Sequence, residues 1–491
     1  MRGDVQISEV IIELERSDLL PAIVFRTARN QCDIDVEKAG HNNRLHLSSP
    51  KQRELALCVK AVIKRYDLDE ELIVTHPHYS ALLLSGVGAH HAGQLLMWRL
   101  LLEELMAAGL LRVLVATGTV AAGVDFPART VVITAHSKRG ADGFNTLTST
   151  EFQQMSGRAG RRGKDTVGFC IAAPAPFCDA RALLRLSRKT VEPLTSAYFP
   201  SPSTVLNLMR YRNVDDLRFT VQRSLASFVD RQSALSLRDE AKKIANSLPK
   251  SLTAGLLQMT DDDEDSDEAD NSSVSKEQRK KLKKIKRNLR NADELECRQA
   301  KLLDETFVGL SSLGYLEGLS LSEKGYWAAN LCTSLVLELA EIISKGLLTG
   351  ITREKLVAII AAISADSHRP YLEAKEDVLL ESDVEALSQI IEAVTKNNIP
   401  GVLQNREISL SAAYTAVAWM SCENWQAFRG LLFLNGVTEG DAARLITQTA
   451  EQLNQIARLV QTHPELAQQA EIARLRILRP PLTEAINVEA V

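Results

Sequence analysis

The sequence predicts an α/β domain built on a parallel sheet, followed by a mainly helical second half, and three observations carry that prediction. Short apolar runs alternate with helical patterns up to about residue 185. A charged block poor in aromatics, residues 260–291, then interrupts the pattern. From Leu331 to Val491 the apolar spacing is almost wholly helical.

Taking the elements in order, strands are expected at Ala22–Phe25, Ser85–Ala89, Arg112–Thr117, Thr130–Thr134 and Val167–Ala172, each an apolar run of strand length. Gln94–Ala108 reads as an amphipathic helix with Gly109 as its C-cap. The acidic run DDDEDSDEAD and the basic KEQRKKLKKIKRNLR fall within 260–291, for which disorder or a loose charged helix is expected. Leu302–Leu331 reads as helix, turn and wing, and Leu335–Ser364 as a helix pair broken at Gly346 and Gly350. On Glu439–Leu459, Asp441, Arg444, Gln448 and Gln455 share one polar face, while Ala443, Leu445, Ala450, Leu453 and Ile456 can pack inward.

The chain has 491 residues, 45% hydrophobic and 24% charged, enough for about three domains with full cores. No apolar run reaches membrane-spanning length, and MRGDVQISEV lacks the apolar core of a signal peptide, so a cytoplasmic protein without a membrane partner is expected. The seven cysteines form no CxxC pair and are expected to be reduced thiols, with neither a disulfide nor a metal site. A formal charge of -4 excludes a global polybasic surface, so any nucleic-acid affinity must be local.

The chemistry concentrates in three strings: GVGAHHAG at Gly86–Gly93, ATGTVAAGVDFPARTVVI at Ala116–Ile133, and QMSGRAGRRG at Gln154–Gly163. In the last, Arg158 and Arg161 are ringed by glycines that let a polyphosphate approach the backbone, a setting suited to negative charge developing in phosphoryl transfer. His90 and His91 are neighbours on an extended segment and point to opposite sides, which disfavours a shared metal ion and leaves phosphate contact by one of them as the reading.

The second and third strings resemble motifs V and VI of superfamily 2 DExH-box helicases, and HHAG ahead of them narrows the resemblance to the superkiller-type class, which ends in a DSHCT bundle. The resemblance implies a second RecA-like domain over 1–185, a winged-helix domain over 186–330 interrupted at 260–291, and a DSHCT-like bundle over 331–491 with a ratchet helix at 439–459. It implies Arg161 as arginine finger, Arg158 as companion γ-phosphate ligand and Gln154 as the residue that positions water or senses the nucleotide. Gly123 and Asp125 are implied at the nucleotide, with Asp125 on the ribose or the finger arginine. Nucleic-acid contacts are implied at His90, His91, Gly93, Thr117, Thr119, Arg444 and Gln448, and Lys138, Arg139 and Phe144 occupy the place of a strand-separating hairpin.

ATP and Mg2+ are the implied ligands, held mainly by a first RecA-like domain that is an implied partner. No GxxxxGK[ST] string occurs: Gly157–Lys164 ends in Gly-Lys, but its spacing is one residue too long and Asp165 stands where Ser or Thr should be. Asp267–Asp270 spells DEAD inside the acidic tract, with no apolar strand before it, and is read as chance. The expected function is therefore the C-terminal portion of an ATP-dependent helicase, RNA favoured, this chain being inactive as an ATPase by itself. A DNA-repair helicase of the same class and a non-catalytic nucleic-acid-binding scaffold remain alternatives.

Overall fold

The computed structural model describes residues 6–118, 128–140, 143–173, 175, 178–249, 252, 275–374, 378–404 and 406–483. Five strands, β1 (Ala22–Phe25), β2 (Val87–His90), β3 (Val113–Ala116), β4 (Thr130–Ile133) and β7 (Phe169–Ala172), form one parallel sheet in the order β2-β3-β1-β4-β7. Side chains alternate across it with the strand period of two. Ile23, Phe25, Leu114, Val131 and Ile133 meet the helices Ser49–Tyr66 and Leu96–Ala107 on one face. Ala22, Val24, Val113, Val115 and Val132 meet Ile7–Arg16 and Arg29–His41 on the other. A parallel sheet covered on both faces needs unbroken apolar strands, and β1, β3 and β4 are buried throughout.

Strand ends differ from expectation for local reasons. Ser85 and Gly86 belong to the preceding helix Tyr79–Ser85, which Gly86 closes in the left-handed region at φ +68. Gly168 precedes β7 because its backbone lies against Ala159, where an added Cβ would sit 2.5 Å from the carbonyl. Gly109 has φ +76 just past the helix Leu96–Ala107, and its N–H and that of Leu110 donate to the carbonyls of Met106 and Leu105 at 3.0 Å.

Beyond the sheet domain, Leu225–Asn246 packs along the 37-residue helix Lys276–Ser312. Of the two expectations for the charged block, disorder or a loose charged helix, the helix holds for its basic part, which is packed. Residues 276–291 are the first turns of that helix, while the acidic tract 260–274 lies outside the described residues. Ala241, Ala245, Leu248 and Ile285 are buried between the two helices. Gly314 at φ +75 then turns the chain into a two-stranded hairpin, β8 (Leu316–Glu317) with β9 (Ser320–Leu321), ahead of Glu323–Ala328.

The remaining helices form the bundle. Arg353–Ser364 runs through its middle, buried at every position from Leu356 to Ile363, and packs against Leu410–Ser421, Glu439–Ala457 and Pro464–Ile477. The expected break is present, with Gly346 and Gly350 at φ +74 and +68 after Val336–Ser344. No helix among the described residues is long and apolar enough to cross a membrane.

Candidate functional site

In open parallel sheets, ligands bind beyond the carboxyl ends of the strands. HHAG leaves the end of β2, Thr117 follows β3, and the loop after β4 carries a hairpin. Thr117 is half-buried, and its N–H donates to the His90 carbonyl at 3.4 Å. Thr119, Gly123 and Asp125 lie outside the described residues.

His90 and His91 do point apart. His90 Nε2 is 2.7 Å from Glu103 and His91 Nε2 is 2.9 Å from Asp33. Their exposures of 4% and 2% correct the expected phosphate contact, because both rings are internal hydrogen-bonding groups. His91 belongs to a buried polar network the sequence reading missed. Gln94 donates to Asp33 at 3.1 Å and lies 2.8 Å from His76, whose ring stacks on Trp98 at 3.7 Å. Burial drives the His76 and His78 pKa values below the usual imidazole range. Gly93 is enclosed too: an added Cβ would meet the His91 ring at 3.0 Å.

The helix Ser149–Ser156 begins in a capping box between Thr148 and Glu151, and Glu192 accepts from the N–H groups of Ser149 and Thr150 at 3.0 and 2.8 Å. Phe152 and Met155 face the core, which leaves Gln154 exposed. After Gly157 the chain is pinned beside Ala128, whose N–H donates to the Arg158 carbonyl at 2.9 Å and whose carbonyl accepts from Gly160 at 2.7 Å. Gly160 adopts φ +93 and leaves room for the Gly168 backbone.

Arg161 then folds onto Asp165. Its Nε donates to Oδ2 at 2.7 Å, its Nη2 to Oδ1 at 2.9 Å, and its backbone N–H to Oδ2 at 2.9 Å. The hydrogen bond from Arg161 holds the Asp165 carboxyl at a pKa of about 2.

β5 (Ser137–Gly140) and β6 (Gly143–Thr146) pair antiparallel with Arg139 opposite Phe144. Phe144 is 71% exposed. Lys138 is held by an ion pair to Glu151, in the capping box of Ser149–Ser156.

On Glu439–Ala457, Arg444 is exposed and Gln448 half-buried. Asp441 and Gln455 leave the expected polar face, at 2% exposure each. Gln455 accepts from the Cys332 N–H at 3.0 Å. Asp441 accepts from Arg29 at 2.8 Å and from Thr438 at 2.8 Å, and it pairs with Arg369. Burial alone would raise its carboxyl pKa, but the bonds from Arg29 and Thr438 hold it below the usual range. Beside it the Gly440 N–H donates to the Gly93 carbonyl at 3.0 Å, so HHAG touches the start of this helix directly.

Comparison with known proteins matches residues 86–163 to the helicase conserved C-terminal domain and residues 318–485 to the DSHCT (NUC185) domain. The chain is 31% identical over 262 residues to the chloroplastic DExH-box ATP-dependent RNA helicase DExH15 of Arabidopsis thaliana, covering 50% of this chain and 22% of that protein. It is 34% identical over 223 residues to the human superkiller complex protein 2, covering 44% of this chain and 17% of the relative. To the ATP-dependent RNA helicase mtr4 of Schizosaccharomyces pombe it is 30% identical over 230 residues, covering 46% and 20%.

Proposed function

Since the chain belongs to the superkiller-type, DSHCT-containing class of superfamily 2 DExH-box helicases, we propose that it supplies the second RecA-like half of an ATP-dependent RNA helicase, with its winged-helix and ratchet elements. The carrying observation is the Arg158–Arg161 turn, fixed by two backbone hydrogen bonds to Ala128, with Arg161 presented as a planar fork on Asp165.

That turn fits a nucleotide phosphate. A carboxylate already occupies both prongs of Arg161, and a phosphate offers the same bidentate acceptor geometry. An added Cβ at Gly163 would meet nothing within 4 Å. ATP is the substrate, and the Mg2+ that accompanies it neutralises phosphate charge. Arg161 exchanges Asp165 for the γ-phosphoryl oxygens when a P-loop domain closes on this one, Arg158 contacts the same group, and exposed Gln154 orients the attacking water. Gly123 and Asp125 complete the nucleotide contacts.

Single-stranded RNA passes Thr117 and Thr119, then the Arg444 and Gln448 face of Glu439–Ala457, while Arg139 and Phe144 stand at the strand junction; the buried Gly93 packs against that helix instead of touching RNA. The Gly93–Gly440 hydrogen bond and the Arg29–Asp441 ion pair would carry motion of the sheet domain to that helix. RNA is favoured because two of the relatives are themselves RNA helicases. The test is RNA-stimulated ATP turnover by the chain mixed with a P-loop-bearing domain. Turnover should need both components.

A further inference from the structure

The helix Lys276–Ser312 opens with a run of sixteen residues, 276–291, that holds nine lysines or arginines against one acid, Glu277. Helical geometry sorts them. Ile285, Asn288 and Ala292 are buried toward Leu225–Asn246. Lys276, Lys280, Lys283, Arg287 and Arg290, at spacings of four, three, four and three, fall in one line on the opposite side. All five are exposed, and no acid interrupts the line until Glu294, which pairs with Arg290 at 3.1 Å. Lys276, Lys280 and Lys283 have no ion pair among the described residues. Lys242 and Lys243 are exposed near the same end of the facing helix.

Lys276, Lys280 and Lys283 do nothing for the fold through ion pairs among the described residues. Leu282, Ile285 and Leu289 already hold the two helices together, whereas like charges three and four residues apart oppose helix formation. Lys276 and Arg279 also sit in the first turn, against the helix dipole. A polyanion removes both penalties. The stripe runs about 21 Å along the helix at ~1.5 Å per residue, and residues 276–299 contain no aromatic side chain. Single strands are bound in grooves with aromatic stacking platforms, while a duplex presents its phosphates outward to a rod of this kind.

We propose that the Lys276–Arg290 stripe binds the phosphate backbone of duplex nucleic acid, independently of sequence and apart from the single-strand path. It rests on the reading of the chain as a nucleic-acid helicase but uses none of that path's residues.

The test replaces Lys276, Lys280, Lys283 and Arg287 together by Gln, which keeps helix propensity. Binding to a blunt duplex and to a single strand of equal length is followed by fluorescence anisotropy across a salt series. The proposal expects a loss of duplex affinity of at least tenfold at low salt, and a salt slope shallower by about 3.6, four duplex contacts at ~0.9 each. Single-strand affinity should change less than twofold. A companion variant, Lys276→Arg, Lys280→Arg and Lys283→Arg, should retain duplex binding, and circular dichroism of both variants checks that the helix persists. Unchanged duplex affinity, or equal losses on both ligands, overturns the proposal. Failure of the single-strand reading would instead appear as wild-type chain that binds duplex and not single strand.

Discussion

The Asp441 carboxylate meets Arg29, 412 residues away in the chain, at 2.8 Å, and so joins the helical bundle to the first helix after β1. The carboxylate is buried, and Arg369 shares it. Removing one partner of a buried pair costs about 3–5 kcal/mol, and the partial exposure of Arg29 places this case at the low end. Asp441→Asn should therefore lower the melting temperature by several degrees, read by calorimetry. A shift under one degree would mean the pair contributes nothing to the contact.

Gly440→Ala gives a sharper result because propensity and packing act in opposite directions. Inside a helix Ala is favoured over Gly by about 1 kcal/mol. Here the added Cβ would lie 2.2 Å from the Ala92 carbonyl oxygen. The variant should be destabilised, and limited proteolysis should cut between sheet domain and bundle faster than in wild type. A stabilised variant would show that HHAG and the helix are not in contact.

How legible was this in the sequence? The four buried parallel strands were, because a strand buried on both faces must be apolar along its length, as Ile23–Phe25 and Val113–Val115 are, whereas the edge strand β7 is largely exposed and was read from its apolar run alone. Asp441 and Gln455 were not. A helical wheel separates polar from apolar positions but cannot tell a face open to water from one covered by Arg29 or by the Cys332 backbone. His90 and His91 failed likewise, since their partners Glu103 and Asp33 come from other segments. In the basic block, charge density masked Leu282, Ile285, Leu289 and Ala292, whose helical spacing already marked one buried face. The glycine-flanked turn from Arg158 to Arg161 was legible, but the grip of Asp165 on Arg161 was not, because residues 161–165 form a turn and not a helix on which an i,i+4 pair could be read.

The HHAG network should make stability sensitive to mild acid. Burial depresses the pKa of His76 and His78 in the folded chain, so the unfolded chain binds protons first. The stabilisation from neutral imidazoles is fully present above about 6.5, the unfolded value, and fades as pH falls through the lower folded values. Denaturant midpoints should drop between pH 7 and pH 5, and His76→Gln should flatten part of that slope. A midpoint independent of pH over this window would refute the assignment.

Arg444→Ala should separate binding from folding. The side chain is exposed, so stability should change within about 0.5 kcal/mol. Single-strand affinity should fall severalfold in anisotropy titrations. A large loss of stability with intact affinity would make the residue a brace of the bundle.

If Arg158 and Arg161 complete a phosphoryl-transfer site from this side, steady-state ATP turnover with RNA present will depend on them. The chain alone should show no turnover above background. Combined with a P-loop-bearing first domain it should hydrolyse ATP, and Arg161→Lys should lower kcat in that mixture by on the order of 10³, since an ammonium cannot reproduce the two-pronged contact. RNA affinity should stay as in wild type. Robust turnover by the chain alone would reveal a nucleotide site of its own, and an unaltered kcat in Arg161→Lys would remove Arg161 from the reaction.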